Sequence, residues 1–452
     1  VIPFEFALVA YVPIAALIMA MRNSALGFSL AYLIGLMFLP AGLEFDIPAV
    51  PDLSKENVPA LGILIGTALF HPQLFNRFRF TALDLIFVFG AMCAFVTAML
   101  NDFGMKFGAS QTMDVFLSFF LPIILARIHL CTPRALRTFL TTLVLLACIY
   151  VPFSIWEFRM SPQFHTWVYG YFQHVFQQHF RGLFWRPIVF FYHALSLGRF
   201  YALAAFLALF PLRRELMRLF GPYGRYIFLV PLLGLVLEQS VSPIMLFCFL
   251  SVMYHAVLRA PAIIWVMPVI GYLWFAGVFA QIEVGFGGVR NISNVSSERA
   301  ASFDYRLQAL REYRSVVLTK PWFGWGGYGH GRIEGRATDS QLLVHLLQSG
   351  LLGAICYFGW WLTAMARAGG LVYKARGTPL ATYAASFAAF ASIGLTYTTV
   401  DAAVDHFMMF PLAGLYAIAT MRARRGQGAL RRRGNKPVRR GYETTGQTIE
   451  AH

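Results

Sequence analysis

The sequence predicts an all-α polytopic membrane protein, and three observations carry that class. Of its 452 residues 58% are hydrophobic and only 13% charged, with a mean hydropathy of +0.61; a soluble domain does not combine so much apolar sequence with so little charge. Apolar runs of 17 or more residues recur, long enough to cross a hydrocarbon core of ~30 Å. The ten-residue segments of alternating polarity that a membrane β-barrel needs are not visible.

In chain order, spans are expected at 4–21, 25–43, 58–71, 80–100, 113–129, 135–156, 188–211, 223–238, 241–258, 261–281, 339–365, 379–397 and 402–420, so 12 or 13 helices cross the membrane. The loops 71–80, 127–134, 213–225 and 367–376 are basic and are expected to face the cytoplasm. Loops 44–57, 101–112, 157–186 and 283–337 are expected on the other side. The tail carries nine basic residues between Arg422 and Arg440 and reads as a cytoplasmic segment attracted to anionic lipid rather than to nucleic acid. Counting back from it puts residue 1 outside, or inside if the number of crossings is even. The chain starts at Val1 without a cleavable signal pattern, so some N-terminal sequence is expected to be missing.

This gives four regions: a transmembrane bundle (1–282) with an outward segment at 157–186, an outward helical loop (283–337), C-terminal transmembrane helices (338–420) and a basic tail (421–452). The five cysteines show no metal-ligand or CxxC spacing and read as small packing residues. No metal or cofactor is expected.

Two outward segments break the charge pattern. Segment 283–337 is basic, with Arg290, Arg299, Arg306, Arg311, Arg314, Lys320, Arg332 and Arg336 against five acidic residues. Its middle, 303–319, has helical spacing, with Leu307, Leu310, Arg314 and Val317 along one side. Lys320-Pro321 ends that helix, and the turn-rich GWGGYGHG follows. Segment 157–186 is rich in aromatic residues and reads as an interfacial amphipathic helix. It ends at Arg186, and His193 and Arg199 then fall inside the next expected span. Arg199 comes about 15 Å along that helix, where an unpaired arginine is costly. It therefore needs either an ion pair or a ligand, whereas Arg186 at the membrane edge reads as a ligand group. Guanidinium groups match phosphate oxygens bidentately.

The stretch TDSQLLVHLLQSGLLG from Thr338 opens the next helix. Thr338 and Gln341 have capping-box spacing, and Asp339 or Ser340 serves equally as the cap. Gln341, His345 and Gln348 form one polar stripe facing the bundle, which a buried hydrogen-bond seam explains as well as chemistry does. A carboxylate at the outer helix end is also suited to deprotonate or orient a hydroxyl. Asp339 is the first candidate for that role and His345 the second. Trp322 and Trp325 are candidates to stack on sugar rings or to pack the loop. Asp401, Asp405 and His406 read as a supporting polar cluster.

Over 181–365 the chain resembles the bacterial O-antigen ligase and O-antigen polymerase superfamily. The resemblance rests on Arg306, a short helix, Pro321-x-x-Gly324-x-Gly326, then Asp339-Ser340 leading to Gly350-x-x-Gly353, together with Arg186-Pro187 and His193. It implies a GT-C-type fold and a metal-independent inverting glycosyltransferase in a bacterial inner membrane, with its active site facing the periplasm. The implied donor is a glycan on undecaprenyl pyrophosphate, and the acceptor a glycan or lipid-linked glycan. Arg186, Arg306 and His193 are the substrate contacts it implies, and Arg199 and Trp325 join them as candidates from their positions alone. The chain departs from the pattern at Asp339, where ligases carry His, and at Ser240-Val241-Ser242-Pro243, where many relatives have Ser-Arg-Gly. A transporter or flippase for lipid-linked saccharide is the alternative; it predicts internal repeats and helices broken at the midplane.

Overall fold

The computed structural model describes residues 1–46, 52–181, 183–280, 297–327, 329–334, 336, 338–401 and 406–434. Helices dominate, and among the described residues the only paired strands form a two-residue hairpin, Phe180–Arg181 with Phe184–Trp185. Among the described residues seven helices are long and apolar enough to cross a membrane: Ala82–Leu100, Gly104–His129, Pro133–Met160, Val241–Arg259, Pro261–Phe279, Gln341–Lys374 and Pro379–Tyr397. An eighth is added if Ala194–Leu209 and Arg213–Tyr226, bent by 77°, form one span. The chain is thus a multi-pass α-helical membrane protein.

The expected 12 or 13 full-length spans give way to this smaller number for local reasons. Phe4–Ile18, Ser24–Phe38 and Val58–Phe70 are apolar helices of only 15, 15 and 13 residues. The expected span at 188–211 starts late, at Ala194, because Ile188–Phe191 is irregular. The one at 223–238 shrinks to Leu229–Leu237 behind a 3-10 turn. The one at 402–420 is seen from His406 onward, within the helix His406–Gly434. Asp405, Arg290 and the tail beyond residue 434 lie outside the described residues.

Irregular backbone inside a bundle must have its polar groups satisfied by protein, and buried side chains do this at 188–191. Glu157 accepts the N–H groups of Ile188 and Val189 at 2.9 and 2.7 Å. Gln173 donates to the carbonyls of Val189 and Phe191, and Lys55 to those of Phe190 and Leu39. The Tyr150 hydroxyl accepts from Phe190 N–H. Val189 sits at φ 52°, a strained conformation for a β-branched residue that these partners hold in place. The expected amphipathic helix over 157–186 is absent for a related reason. Its Gln173 and His165 side chains bond irregular backbone, leaving one short α-helix, Phe164–Tyr169, a 3-10 turn, Phe176–His179, and the hairpin.

Close helix approach relies on small residues. Gly62 and Gly66 face the helix Phe4–Ile18, where a Cβ on Gly62 would lie 2.5 Å from the Ala15 Cβ and one on Gly66 2.6 Å from the Ala16 carbonyl. This is the small-xxx-small packing of membrane helices. The last helix closes against the first ones: the Phe410 ring lies 4.2 Å from that of Tyr32 and 5.8 Å from that of Phe28.

The loops sort into two sets that contact each other within each set. The basic ones share one end, where Arg137 meets Glu215 and Arg376 meets the Arg259 carbonyl. At that end Arg127 forms a buried ion pair with Asp84 and lies between the rings of Phe78 and Tyr416. At the other end Lys320 bonds Asn101, and His165 accepts from Ala41.

Breaking a buried pair from one side leaves an uncompensated charge. Arg127→Met should therefore cost about 3–5 kcal/mol, read as a lower midpoint of thermal unfolding in detergent. Adding Asp84→Asn, which keeps the acceptor that bonds Thr81, should restore most of the loss. An equal loss in the double variant would contradict the assignment.

Candidate functional site

The candidate site is set by a break in the helix Gln341–Lys374. At Gly350 the backbone leaves helical geometry, with φ 64° and ψ −166°. A break strands carbonyls on one side and N–H groups on the other, and the stretch Pro321–Gly326 satisfies both. Trp325 and Gly326 donate N–H groups to the carbonyls of Leu347 and Gln348 at 2.7 and 2.9 Å. Leu351 and Leu352 donate to the carbonyls of Pro321 and Trp322 at 2.8 and 3.2 Å. The approach leaves no room for side chains: a Cβ on Gly350 would lie 2.3 Å from the Trp322 carbonyl carbon, and one on Gly324 2.5 Å from the Leu347 oxygen. The Pro-x-x-Gly-x-Gly stretch is thus a backbone clasp around a helix break. Thr97 fastens it to Ala82–Leu100 by donating to the Phe323 carbonyl at 2.6 Å.

The clasp fixes the end of the preceding helix, Ser297–Thr319, over the start of the broken one. Ala309, Leu310, Tyr313 and Val317 are its buried face among the described side chains, with Arg314 only half-buried. The buried stripe therefore runs one step away from the expected Leu307, Leu310, Arg314 and Val317. Tyr313 causes the shift, because its hydroxyl bonds the backbone of Arg336 and Ile333. Arg306 then comes to rest on Asp339, with Nε donating to Oδ2 at 2.9 Å. Its Nη2 lies 3.7 Å from an Asp401 oxygen. The Tyr397 hydroxyl donates to Asp401 and shares a 2.8 Å hydrogen bond with Ser242. Arg306 and Asp339 are each about one-third exposed (34% and 36%), so the pair is open to solvent. The cleft beside them, lined also by Trp274, Leu310, Ser340 and Val400, holds about 20 Å³, room for a single water.

Ser340 is the cap of the broken helix: its hydroxyl accepts from Leu343 N–H and donates to the Thr398 carbonyl. Asp339 lies one residue before the cap and is left to Arg306. Gln341 donates to the Tyr357 hydroxyl at 2.9 Å, and His345 stacks on the same ring at 4.0 Å. His345 lines a separate cavity of about 80 Å³ with Phe87, Ser349 and Cys356, so it does not share the cleft of Asp339.

The other expected contacts are placed differently. Arg186 is buried and bonded to Glu238 and Ser240, each at 2.5 Å, so it is held by protein and is not a ligand group at a membrane edge. His193 caps its own helix, with Nδ1 accepting from Leu195 N–H at 3.0 Å. Because that helix starts at Ala194, Arg199 lies in its second turn and not some ten residues along it, as the expected span had placed it. It bonds Ser196 and lines a cavity of about 290 Å³ with Ser242 and Tyr397. Trp325 is a packing residue: Nε1 donates to the Val316 carbonyl at 3.0 Å and the Lys320 ammonium covers its ring.

One polar path nevertheless joins several of these groups. It runs from Arg186 to Ser240, resumes at Ser242 in the same helix, and passes through Tyr397, Asp401 and Arg306 to Asp339. Glu238, Ser242 and Tyr397 are members that sequence reasoning missed. The signal for Glu238 was a lone acid ending an apolar run; Tyr397 looked like any membrane aromatic. Among the described residues no cluster of three or more His, Cys, Asp or Glu could hold a metal ion.

No protein-family model matches the chain, and no curated protein gives a significant match.

Two outcomes check this geometry. Gly350→Ala should destabilise markedly, whereas Gly359→Ala, on the same helix with open space around it, should be neutral or stabilising by up to ~1 kcal/mol. Equal effects on the unfolding midpoint would deny the clasp. The second concerns pH. Burial pushes the His165 imidazole down to about 4, and burial with His174 and Arg186 pushes that of His193 down to about 3. Both are neutral when folded but bind protons near pH 6.5 when unfolded. Their stabilisation is thus present above pH 6.5 and lost as pH falls toward 4. Hydrogen-exchange protection over 163–195, corrected for the intrinsic pH dependence of exchange, should fall in that window, and His165→Asn should blunt the change.

Proposed function

We propose that the protein is an inverting glycosyltransferase. It moves a glycan from undecaprenyl pyrophosphate to a sugar hydroxyl at the periplasmic face of a bacterial inner membrane, in O-antigen ligation or in O-antigen or exopolysaccharide polymerisation. The observation that carries this reading is the solvent-open Arg306–Asp339 pair, set where the broken helix begins and backed by Asp401, Tyr397 and Arg199.

In the proposed step the acceptor oxygen attacks the anomeric carbon as the bond from that carbon to the phosphate oxygen breaks. The bonding electrons leave with the lipid diphosphate, and the hydroxyl proton passes to Asp339. A carboxylate one residue outside the helix, held by a single Arg306 hydrogen bond, keeps further acceptor capacity for a hydroxyl. The departing diphosphate needs positive charge rather than acid catalysis. Arg306 supplies it from the edge that does not hold Asp339, where Asp401 at 3.7 Å pairs with it by charge but leaves its N–H donors without a short hydrogen bond. The cleft holds no more than a water, so the acceptor approaches from the exposed side of the pair.

The test is reconstitution with a polyprenyl-pyrophosphate glycan in the absence of ATP. Arg306→Ala and Asp339→Ala should each lower transfer by about 100-fold or more while the protein stays folded. The double variant Arg306→Met/Asp339→Leu removes the pair without stranding a charge. It should also be inactive; retained transfer there would make the pair merely structural. Passage of intact donor across the bilayer without transfer would make the protein a flippase instead.

A further inference from the structure

The broken helix runs from the Arg306–Asp339 pair to Lys374 at the far end of the bundle, and a different polar feature lies there. A cavity of about 1040 Å³ opens between the starts of Pro133–Met160, Arg213–Phe220 and Pro379–Tyr397 and the end of Val241–Arg259. Among the described residues eight arginines line it, including Arg134, Arg213, Arg214 and Arg376, against a single acid, Glu215. Glu215 is already shared between Arg137 at 3.1 Å and Arg218 at 3.5 Å. The inner wall is apolar, with Phe210, Leu258, Val372 and Leu380.

Attraction of basic loops to one side of a membrane accounts for the number of these arginines but not for their arrangement. Arginines that serve topology alone can each reach separately into the headgroup layer. Here they surround one hollow, where like charges repel. Arg134 is the second residue of its helix, and Arg213 and Arg214 are the first two of theirs. A helix start carries partial positive charge, so cations there add to the repulsion unless an anion lies between. Arg376 is also drawn onto the carbonyl of Arg259 at 3.4 Å, which brings two more guanidinium-bearing residues together.

We propose that this cavity binds a phosphate-bearing polyanion. Guanidinium groups present paired donors that match phosphate oxygens, helix starts add N–H groups to the same volume, and the size suits a headgroup or a small diphosphate compound. The phosphate comes either from an anionic phospholipid, whose acyl chains would continue along the apolar wall, or from a soluble diphosphate. The site is separate from the Arg306–Asp339 pair and does not depend on the proposed transfer reaction.

The test measures the unfolding midpoint of the full chain in two kinds of nanodisc. In phosphatidylcholine discs inorganic pyrophosphate is added; in the other arm phosphatidylglycerol is mixed into the disc. A rise of about 2 °C or more in at least one arm is expected, and the arm that responds identifies the source. The rise should vanish in Arg213→Gln/Arg376→Gln, both exposed positions. It should persist in Arg431→Gln/Arg432→Gln/Arg433→Gln, which removes three charges from the tail. Absence of a rise in both arms, its survival in the cavity variant, or its loss in the tail variant would each overturn the proposal. Pyrophosphate affinity by calorimetry gives an independent reading, with a weakening of about 30-fold expected in the cavity variant.

Discussion

One end of this helix bundle depends on one arrangement of backbone hydrogen bonds. A helix broken at Gly350 leaves carbonyls and N–H groups that, buried without partners, cost about 1–3 kcal/mol each. Pro321–Gly326 supplies a partner on both sides of the break. Neither element is stable in its observed form without the other. Through Lys320 the same clasp ends the Ser297–Thr319 helix, and that placement lays Arg306 over Asp339. The chemistry assigned to the pair therefore rests on a contact made entirely by main-chain atoms and by glycines that leave room for them.

The same problem is solved differently around residues 188–191. There the irregular backbone is satisfied by side chains from distant segments, namely Lys55, Tyr150, Glu157 and Gln173. Each is a polar group in a largely apolar region, and none of them belongs to the Arg306–Asp339 pair. Burial pushes the Lys55 ammonium down to about 7, because the two backbone carbonyls it meets do not fully replace the water it loses. Polar residues inside this bundle thus include those that complete the backbone, those paired with each other, as Arg127 with Asp84, and those left facing an opening.

The legible part of the fold was what depends on local composition: the class, the run of apolar helices, the sorting of loops by charge, and the stop at Lys320-Pro321. Helix lengths were less legible, because hydropathy registers apolar residues and not whether the backbone is helical. Ile188–Phe191 is as apolar as any span, and only contacts with residues 16 to 135 positions away show that it is irregular. At the site, Arg306 and Asp339 stood out because they flank a turn-rich stretch between two helices. Arg186 misled, since its partner Glu238 is 52 residues distant and no pattern links them. Gly350 was read as part of a motif, but its positive φ was not foreseeable from an otherwise regular helical sequence.

The contact of Phe410 with Phe28 and Tyr32 bears on how the chain is made. Membrane proteins emerge from the ribosome start first, and early segments begin to fold before later ones exist. The aromatic surface that Phe410 covers belongs to the helix Ser24–Phe38, so until residue 410 has emerged that part of it must be sheltered by lipid or by an insertion factor. Closure of this seam therefore follows insertion of the helices before it. Premature stops shortly before residue 406 are then expected to leave a chain that is almost fully inserted yet open along one seam, a natural substrate for membrane quality control.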